Sequence, residues 1–312
     1  MQPDLRVLLF VFCIAYIFIT ALNFLFARIY YRIRGGRPAR SRSAVFSEWL
    51  ILGIAFVGFL CVLYGRYIEP YWPEVTRVEL RSPKVRKETG KVRIVHISDM
   101  HSIARAGLEP RLPGIIAAEK PDLIVYTGDS VNDSGGLPVF RGLMKQLTAI
   151  APVYATAGNW DLATEMLGHL YQDTTVNFLQ GTNLKQDVRG TPVWVAGISQ
   201  WHDDQVWPST RGIPKTDFSI FLFHFPDGIG DAAGQRFDLY CAGHTHGGQV
   251  ALPFYGALTT NSSYDKEYEA GLYRVKNTWL YVNRGIGMTK SAPRVRFLAR
   301  PEITVIDVLP GS

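Results

Sequence analysis

The sequence predicts an α/β domain built on two β-sheets, preceded by two membrane-spanning helices. Three observations carry that prediction. Two long apolar runs lie before residue 70, short β-rich runs alternate with helical stretches from Lys91 onward, and the later part of the chain is mostly strand. A single doubly wound sheet would keep alternating to its end. At 312 residues, with 47% apolar and 19% charged side chains, the chain is neither disordered nor collagen-like, and it has room for one large domain plus something extra.

The net charge of +6 at first points to nucleic acid, but its distribution argues otherwise. Residues 1–68 carry eight arginines against Asp4 and Glu48, so the whole surplus is N-terminal and the remaining chain is balanced. A nucleic-acid-binding face on the main domain is therefore not expected. Three cysteines, with no CxxC pair, exclude a disulfide framework and a cysteine zinc site.

The first apolar run, residues 7–27, contains only Thr20 and Asn23 as polar residues and can cross a bilayer core of roughly 30 Å. Arg28, Tyr30, Tyr31 and Arg32 follow where a secretory signal would show small residues for cleavage, which favours a retained anchor. The second span, residues 49–68, begins at Trp49 and is flanked by Tyr64, Tyr67, Tyr71 and Trp72 in the manner of interfacial aromatics. A buried amphipathic helix is its competing reading. The expected division is an anchor over residues 1–70, a linker over 71–90 and the main domain over 91–309. Arginines in the link between the helices are nearly matched in number by basic residues at the opposite helix ends, so charge leaves the topology open. An inner-membrane anchor with the main domain facing the cytoplasm is the working expectation.

Within the main domain, strands are predicted at 92–97, 123–126, 153–156, 193–198, 219–223, 239–241, 280–282 and 303–308. Helices are predicted at 109–119, 137–150 and 161–170. Five strands run directly into polar residues. The first reaches Asp99 and His101, the second Gly128-Asp129, and the third Gly158-Asn159-Trp160-Asp161; the fifth ends at His224, and the sixth at Gly243-His244-Thr245-His246. Sites in α/β sheets form beyond the carboxyl ends of strands, so these five ends can converge. Asp and His two apart point the same way in extended chain and can grip one centre. Two Asp, one Asn and four His make a mixed oxygen and nitrogen donor set. Such a set suits a pair of Mn²⁺, Fe or Zn²⁺ ions better than Mg²⁺ or Ca²⁺.

These motifs, with Gly247-Gly248-Gln249 after His246, resemble the calcineurin-like metallophosphoesterases over about residues 91–308. His224-Phe225-Pro226-Asp227 and Asn283-Arg284-Gly285-Ile286-Gly287 are similar to the branch of membrane-associated bacterial phosphoesterases with N-terminal transmembrane segments. The resemblance implies a four-layer αββα sandwich of two mixed sheets with a dinuclear centre, manganese being the leading metal. Carried over, Asp99, His101 and His246 hold one metal and Asn159, His224 and His244 the other, with Asp129 bridging. Asp129, Asn159 and Asp161 are the expected catalytic residues.

One position departs from the family. The third motif usually reads Gly-Asn-His, and its histidine is expected to protonate a leaving alkoxide; here the residue is Trp160. Indole has no basic nitrogen. A general acid typically contributes about 10²–10⁴ in rate when the leaving group needs a proton. A phosphate released from an anhydride has a second pKa of about 6 and can leave without one. The substitution therefore favours a pyrophosphate linkage, as in the family's UDP-2,3-diacylglucosamine pyrophosphatases of lipid A synthesis. Those enzymes act on a lipid-linked substrate that suits a membrane-anchored protein. The alternatives are an exported phosphodiesterase and an inactive metal-binding membrane module. Trp160, Trp201 and His202 are candidates for substrate contact, while His96 and His169 read as structural. Lys290, Arg294 and Arg296 read as a solvated basic loop.

Overall fold

Why the chain forms two sheets rather than one is visible in which faces of its strands are buried. The structure is a computed structural model and describes residues 4–36, 39–163, 166–199, 209–290 and 293–311. It divides into two units, Met1–Ile68 and Glu69–Ser312.

The first unit is a pair of helices, α1 (Leu5–Arg34) and α2 (Arg42–Tyr67). Both are long and apolar enough to cross a membrane. They extend beyond the predicted spans because the flanking arginines and tyrosines continue the helical turns. Phe12, Phe26, Phe46 and Phe56 point outward and are exposed, an arrangement that water penalises and lipid does not. Asp4 caps α1 by accepting from the Arg6 amide at 2.9 Å, and Ser41 caps α2 from the Ala44 amide.

The second unit opens with β1 (Glu74–Ser82), followed by β2 (Val92–Ile97), α3 (Leu112–Glu119), β3 (Leu123–Tyr126), α4 (Leu137–Thr148), β4 (Val153–Ala155) and α5 (Asn159–Ala163). It continues with β5 (Asn177–Phe178), β6 (Thr182–Val188), β7 (Thr191–Gly197), β8 (Phe218–Leu222), α6 (Ile229–Gly234) and β9 (Leu239–Ala242). The last elements are β10 (Ala251–Leu252), β11 (Gly256–Ala257), β12 (Gly271–Val275), β13 (Thr278–Val282) and β14 (Glu302–Pro310). One six-stranded sheet has the order β1-β14-β2-β3-β4-β5 and the other β12-β13-β9-β8-β7-β6; β10 and β11 form a small ribbon. Both large sheets are mixed, parallel through β2-β3-β4-β5 and β13-β9-β8-β7, with antiparallel pairs at β14-β2, β12-β13 and β6-β7.

Strand alternation sorts the side chains into layers. Ile94, Leu123 and Val125 from one sheet pack against Ile220, Leu239 and Cys241 from the other and form the core between them. Their chain neighbours Val95, Ile124 and Tyr126 face outward beneath Leu112, Ile116 and Phe140 of α3 and α4. On the opposite side Phe221 and Tyr240 meet Ile229 and Ala232 of α6. The result is the αββα order of four layers.

Three expectations change. The span read as a linker, residues 71–90, holds β1, which pairs in parallel with β14 along its whole length. Its charged residues suggested a solvated connection, yet Val78 and Leu80 face inward while Arg77, Glu79 and Arg81 face out, the period of a strand. Among the described residues, the predicted helix at 161–170 is the short α5 and a turn of 3₁₀ helix at Leu167–His169. Arg296, expected in a solvated loop, is fully buried.

Candidate metal centre

The parallel strands of both sheets end at the same place. Beyond β2 and β3 the chain stays zipped, with the Asp99 amide donating to Gly128 O at 2.9 Å and the His101 amide to Asp129 O at 3.0 Å. Beyond β8 and β9 the Gly243 amide donates to His224 O at 2.9 Å. The loops after β2, β3, β4, β8 and β9 therefore bring all seven expected ligands together. Asp99, His101, Asp129, His244 and His246 all adopt positive φ, between 43° and 69°. Non-glycine residues seldom do so, and such strain persists where the surroundings over-determine it. Two glycines have no tolerance here. A Cβ on Gly158 would lie 2.1 Å from Asp129 Oδ1, and one on Gly243 would lie 2.3 Å from Asp99 Oδ2.

The donor atoms point inward. Asp129 Oδ2 lies 3.4 Å from His101 Nε2 and 3.3 Å from His224 Nε2, between the two expected ligand sets. Asp99 Oδ1 lies 3.3 Å from His246 Nε2 and 3.9 Å from His224 Nε2. His101 Nε2 and His246 Nε2 face each other at 3.2 Å, and His244 Nδ1 lies 3.1 Å from Asn159 Oδ1 and 3.2 Å from His224 Nε2. Asp99, His101 and His246 form one group of donors and Asp99, Asp129 and His224 another. Asp99 Oδ1 is buried with no hydrogen-bond partner. An orphaned carboxylate oxygen among converging imidazole nitrogens is a costly arrangement for which a cation is the natural complement. The residues fit a divalent metal pair.

Second contacts fix which ring nitrogen is available. His224 Nδ1 lies 2.7 Å from Thr127 O and His244 Nε2 3.1 Å from Asn261 O, so each places its proton there and leaves its other nitrogen for the centre. His101 Nδ1 faces Asn132 Oδ1 at 3.1 Å, and the Asn132 amide is held by His101 O and Met288 O. His246 differs, because its Nδ1 lies 3.3 Å from Arg296 Nη2, a donor. That guanidinium also donates to Gly287 O, Arg284 O and Ala299 O.

Burial pushes the Asp99 carboxyl up to about 6 and the His101 and His244 imidazoles down to about 4. Burial opposes charge on Asp129 and His224 as well. Their mutual attraction outweighs it, holding the Asp129 carboxyl well below the usual range and raising His224 to about 9. A metal taking His224 as a ligand must displace that proton.

Two of the expected catalytic or substrate residues play a different part in the geometry. Asp161 is fully buried and does not face the centre. Its Oδ2 accepts from the Asp129 and Gly158 amides and its Oδ1 from the Ser130 amide, all at 2.8–2.9 Å. It clamps the loop that carries Asp129, because a carboxylate is the best acceptor for three converging N–H groups. Trp160 is half-buried; its amide donates to Asp129 Oδ1 at 2.9 Å, and its ring stands edge-on to His101 at 5.9 Å. Trp201 and His202 lie outside the described residues. His96 is buried away from the donors, against Thr127 Oγ1 at 2.9 Å. Sequence reasoning overlooked Asn132 and placed Arg296 in a solvated loop. The position of Asn132, three residues beyond Asp129 after the same strand, is a signal for it, whereas nothing in the sequence marks Arg296 as buried beside His246.

The comparisons with known proteins agree with this geometry. The profile of the calcineurin-like phosphoesterases matches residues 92–248. The chain is 32% identical over 268 residues to the uncharacterized metallophosphoesterase YkuE of Bacillus subtilis, a match covering 78% of this chain and 88% of the relative. It is 30% identical over 261 residues to the phosphodiesterase YaeI of Escherichia coli, covering 79% and 92%. To the UDP-2,3-diacylglucosamine pyrophosphatase LpxG of Chlamydia muridarum it is 25% identical over 313 residues, again covering 79% and 92%. Strand ends, donor set and relatives agree that the chain belongs to the calcineurin-like metallophosphoesterases and is a metal-dependent hydrolase of phosphoric ester or anhydride bonds.

Proposed function

We propose that the protein is a membrane-anchored dinuclear phosphoesterase that cleaves a lipid-linked phosphoanhydride, with UDP-2,3-diacylglucosamine as its substrate. In this reading residues 1–70 are the anchor in the inner membrane and the catalytic unit faces the cytoplasm. Asp99, His101 and His246 hold one ion and Asn159, His224 and His244 the other, with Asp129 between them and manganese the preferred metal. Bound metals would supply activation of water and neutralisation of phosphate oxygens. The protein's own part is positional. Asp161 pins the Asp129 loop, the Trp160 amide fixes Asp129 Oδ1 so that Oδ2 faces the centre, and Thr127 O, Asn261 O and Asn132 orient the imidazoles.

The observation that carries the substrate reading is Trp160, which puts an indole beside His101 at the position where a proton donor is expected. A leaving phosphate tolerates that, and an alkoxide does not. The named activity of the Chlamydia relative is a pyrophosphatase, which supports the same choice. The test is turnover of UDP-2,3-diacylglucosamine by the manganese-loaded full-length protein, read as UMP release. No release at two metals per chain would overturn the assignment. A second reading, an exported phosphodiesterase, is favoured by the name of the Escherichia coli relative. A C-terminal reporter active only outside the cytoplasm would select it, because a cytoplasmic UDP-lipid would then be out of reach.

A further inference from the structure

The helix pair carries a second polar feature, remote in sequence from the metal ligands and unused by the hydrolase. Where α1 ends and α2 begins, a cavity of about 520 Å³ is lined by Arg28, Arg32, Arg40, Glu48, Ile29 and Trp49, among others. Glu48 is buried, and both Arg28 Nε and Arg40 Nη1 donate to its carboxylate. The Arg28 guanidinium also lies 4.1 Å over the Trp49 ring. Two guanidiniums thus hold one carboxylate and Arg32 lines the same cavity, which leaves a surplus of positive charge and more N–H donors than Glu48 can accept. The ion pairs pre-organise Arg28 and Arg40, whereas Arg32 is exposed at the cavity wall. The volume falls in the range of ligand pockets.

We propose that this cavity binds the phosphodiester headgroup of an anionic phospholipid. Arginine forks match phosphate oxygens in pairs. Basic pockets between membrane helices bind anionic headgroups. Ile29, Val45 and Trp49 give the same cavity an apolar side that fits the glycerol and first acyl carbons. The exposed rings of Tyr30 and Trp49 place this end at interfacial depth. A free phosphate ion would use the arginines and ignore that apolar wall.

The experiment is native mass spectrometry of delipidated full-length protein given phosphatidylglycerol or phosphatidylcholine. The wild type should retain phosphatidylglycerol in preference. Arg32→Gln, an exposed change that leaves the Glu48 ion pairs in place, should lower that preference by about fivefold, the contribution of one basic side chain to an anionic lipid. Arg66→Gln, at the other end of α2, should leave it unchanged. Equal retention of the two lipids by the wild type would overturn the proposal. So would an undiminished preference in the Arg32 variant, or an equal loss in the Arg66 variant. Displacement of bound phosphatidylglycerol by excess inorganic phosphate would overturn the lipid assignment in favour of a small anion. None of these outcomes depends on hydrolase activity.

Discussion

The two halves of the metal centre differ in their access to solvent. Asp99, His101 and His246 are buried, with Arg296 behind His246 and the Trp160 ring against His101. On the other side only His224 is buried, while Asn159 and His244 are partly exposed. The first half is embedded in backbone contacts. The Gly287 amide donates to Asp99 O at 2.7 Å and the Ile286 amide to Ser98 O at 3.0 Å, so the 283–287 segment closes over it. On the proposed function, Asn159 and His244 mark the side from which a substrate phosphate is expected to approach.

The comparison breaks most completely at Asp129, whose Oδ2 lies between His101 of one half and His224 of the other. Asp129→Asn should lower activity by at least about 10²–10³-fold, the scale of losing one electrostatic stabiliser in a preorganised site. Elemental analysis should find fewer than two metals per chain under conditions that saturate the wild type. Two tightly bound metals with normal turnover would contradict the bridge.

Asn132→Ala sharpens the contrast, since the expected ligand that Asn132 touches is His101, in the closed half. Metal affinity there should fall by about 10–100-fold, the usual effect of losing an outer-shell partner. A titration should then resolve one weakened ion and one unchanged. Equal weakening of both would mean that the halves are not independent.

Asp161→Asn should act on the scaffold beneath both halves. Replacing a charged acceptor of three amides removes about 1.5–3 kcal/mol, the contribution of a hydrogen bond to a charged group. For a unit of this size that lowers Tm by roughly 3–12 °C. Calorimetry of the apo and metal-loaded variant measures it; an unchanged Tm in both would show that the clamp contributes nothing.

The smallest expected effect is at Trp160. Trp160→His introduces a proton donor beside His101, so hydrolysis of an alkyl phosphodiester should rise relative to that of a pyrophosphate. The gain should stay below the ~10² that a fully evolved general acid supplies. The ratio of the two rates at equal metal loading is the readout, because lost stability would lower both together. An unchanged ratio would remove the main argument for an anhydride substrate.

What could be read in the sequence follows from exposure in the same way. The eight predicted strands correspond to β2, β3, β4, β7, β8, β9, β13 and β14, which are the interior strands of the two sheets. The four missed in these two sheets, β1, β5, β6 and β12, are their four edges, and the β10-β11 ribbon was missed as well. Interior strands are covered on both faces and read as apolar runs, whereas edges carry charge that discourages pairing with other chains. Thr182–Val188, with Lys185, Gln186 and Asp187, looks like a loop for that reason. The ligand types and their order were legible because metal chemistry restricts them to few residues. The left-handed backbone at five of them was not, since nothing in Asp or His marks φ. Asp161 was misread for a related reason. A carboxylate two residues from a ligand looks catalytic until its acceptor bonds to three amides are seen.

The parallel pairing of β1 with β14 has a consequence for biogenesis. Glu74, a few residues after the second helix, is hydrogen-bonded in register opposite Glu302, and β14 also separates β1 from β2. During synthesis β1 emerges well before β14, and it has no partner on that edge until the chain between them has left the ribosome. The sheet cannot be completed piecemeal, and pairings this distant in sequence form late and slowly. Until β14 arrives, the hydrogen-bonding edge of β1 that pairs with it stays open. Completion of this sheet is thereby timed by β14.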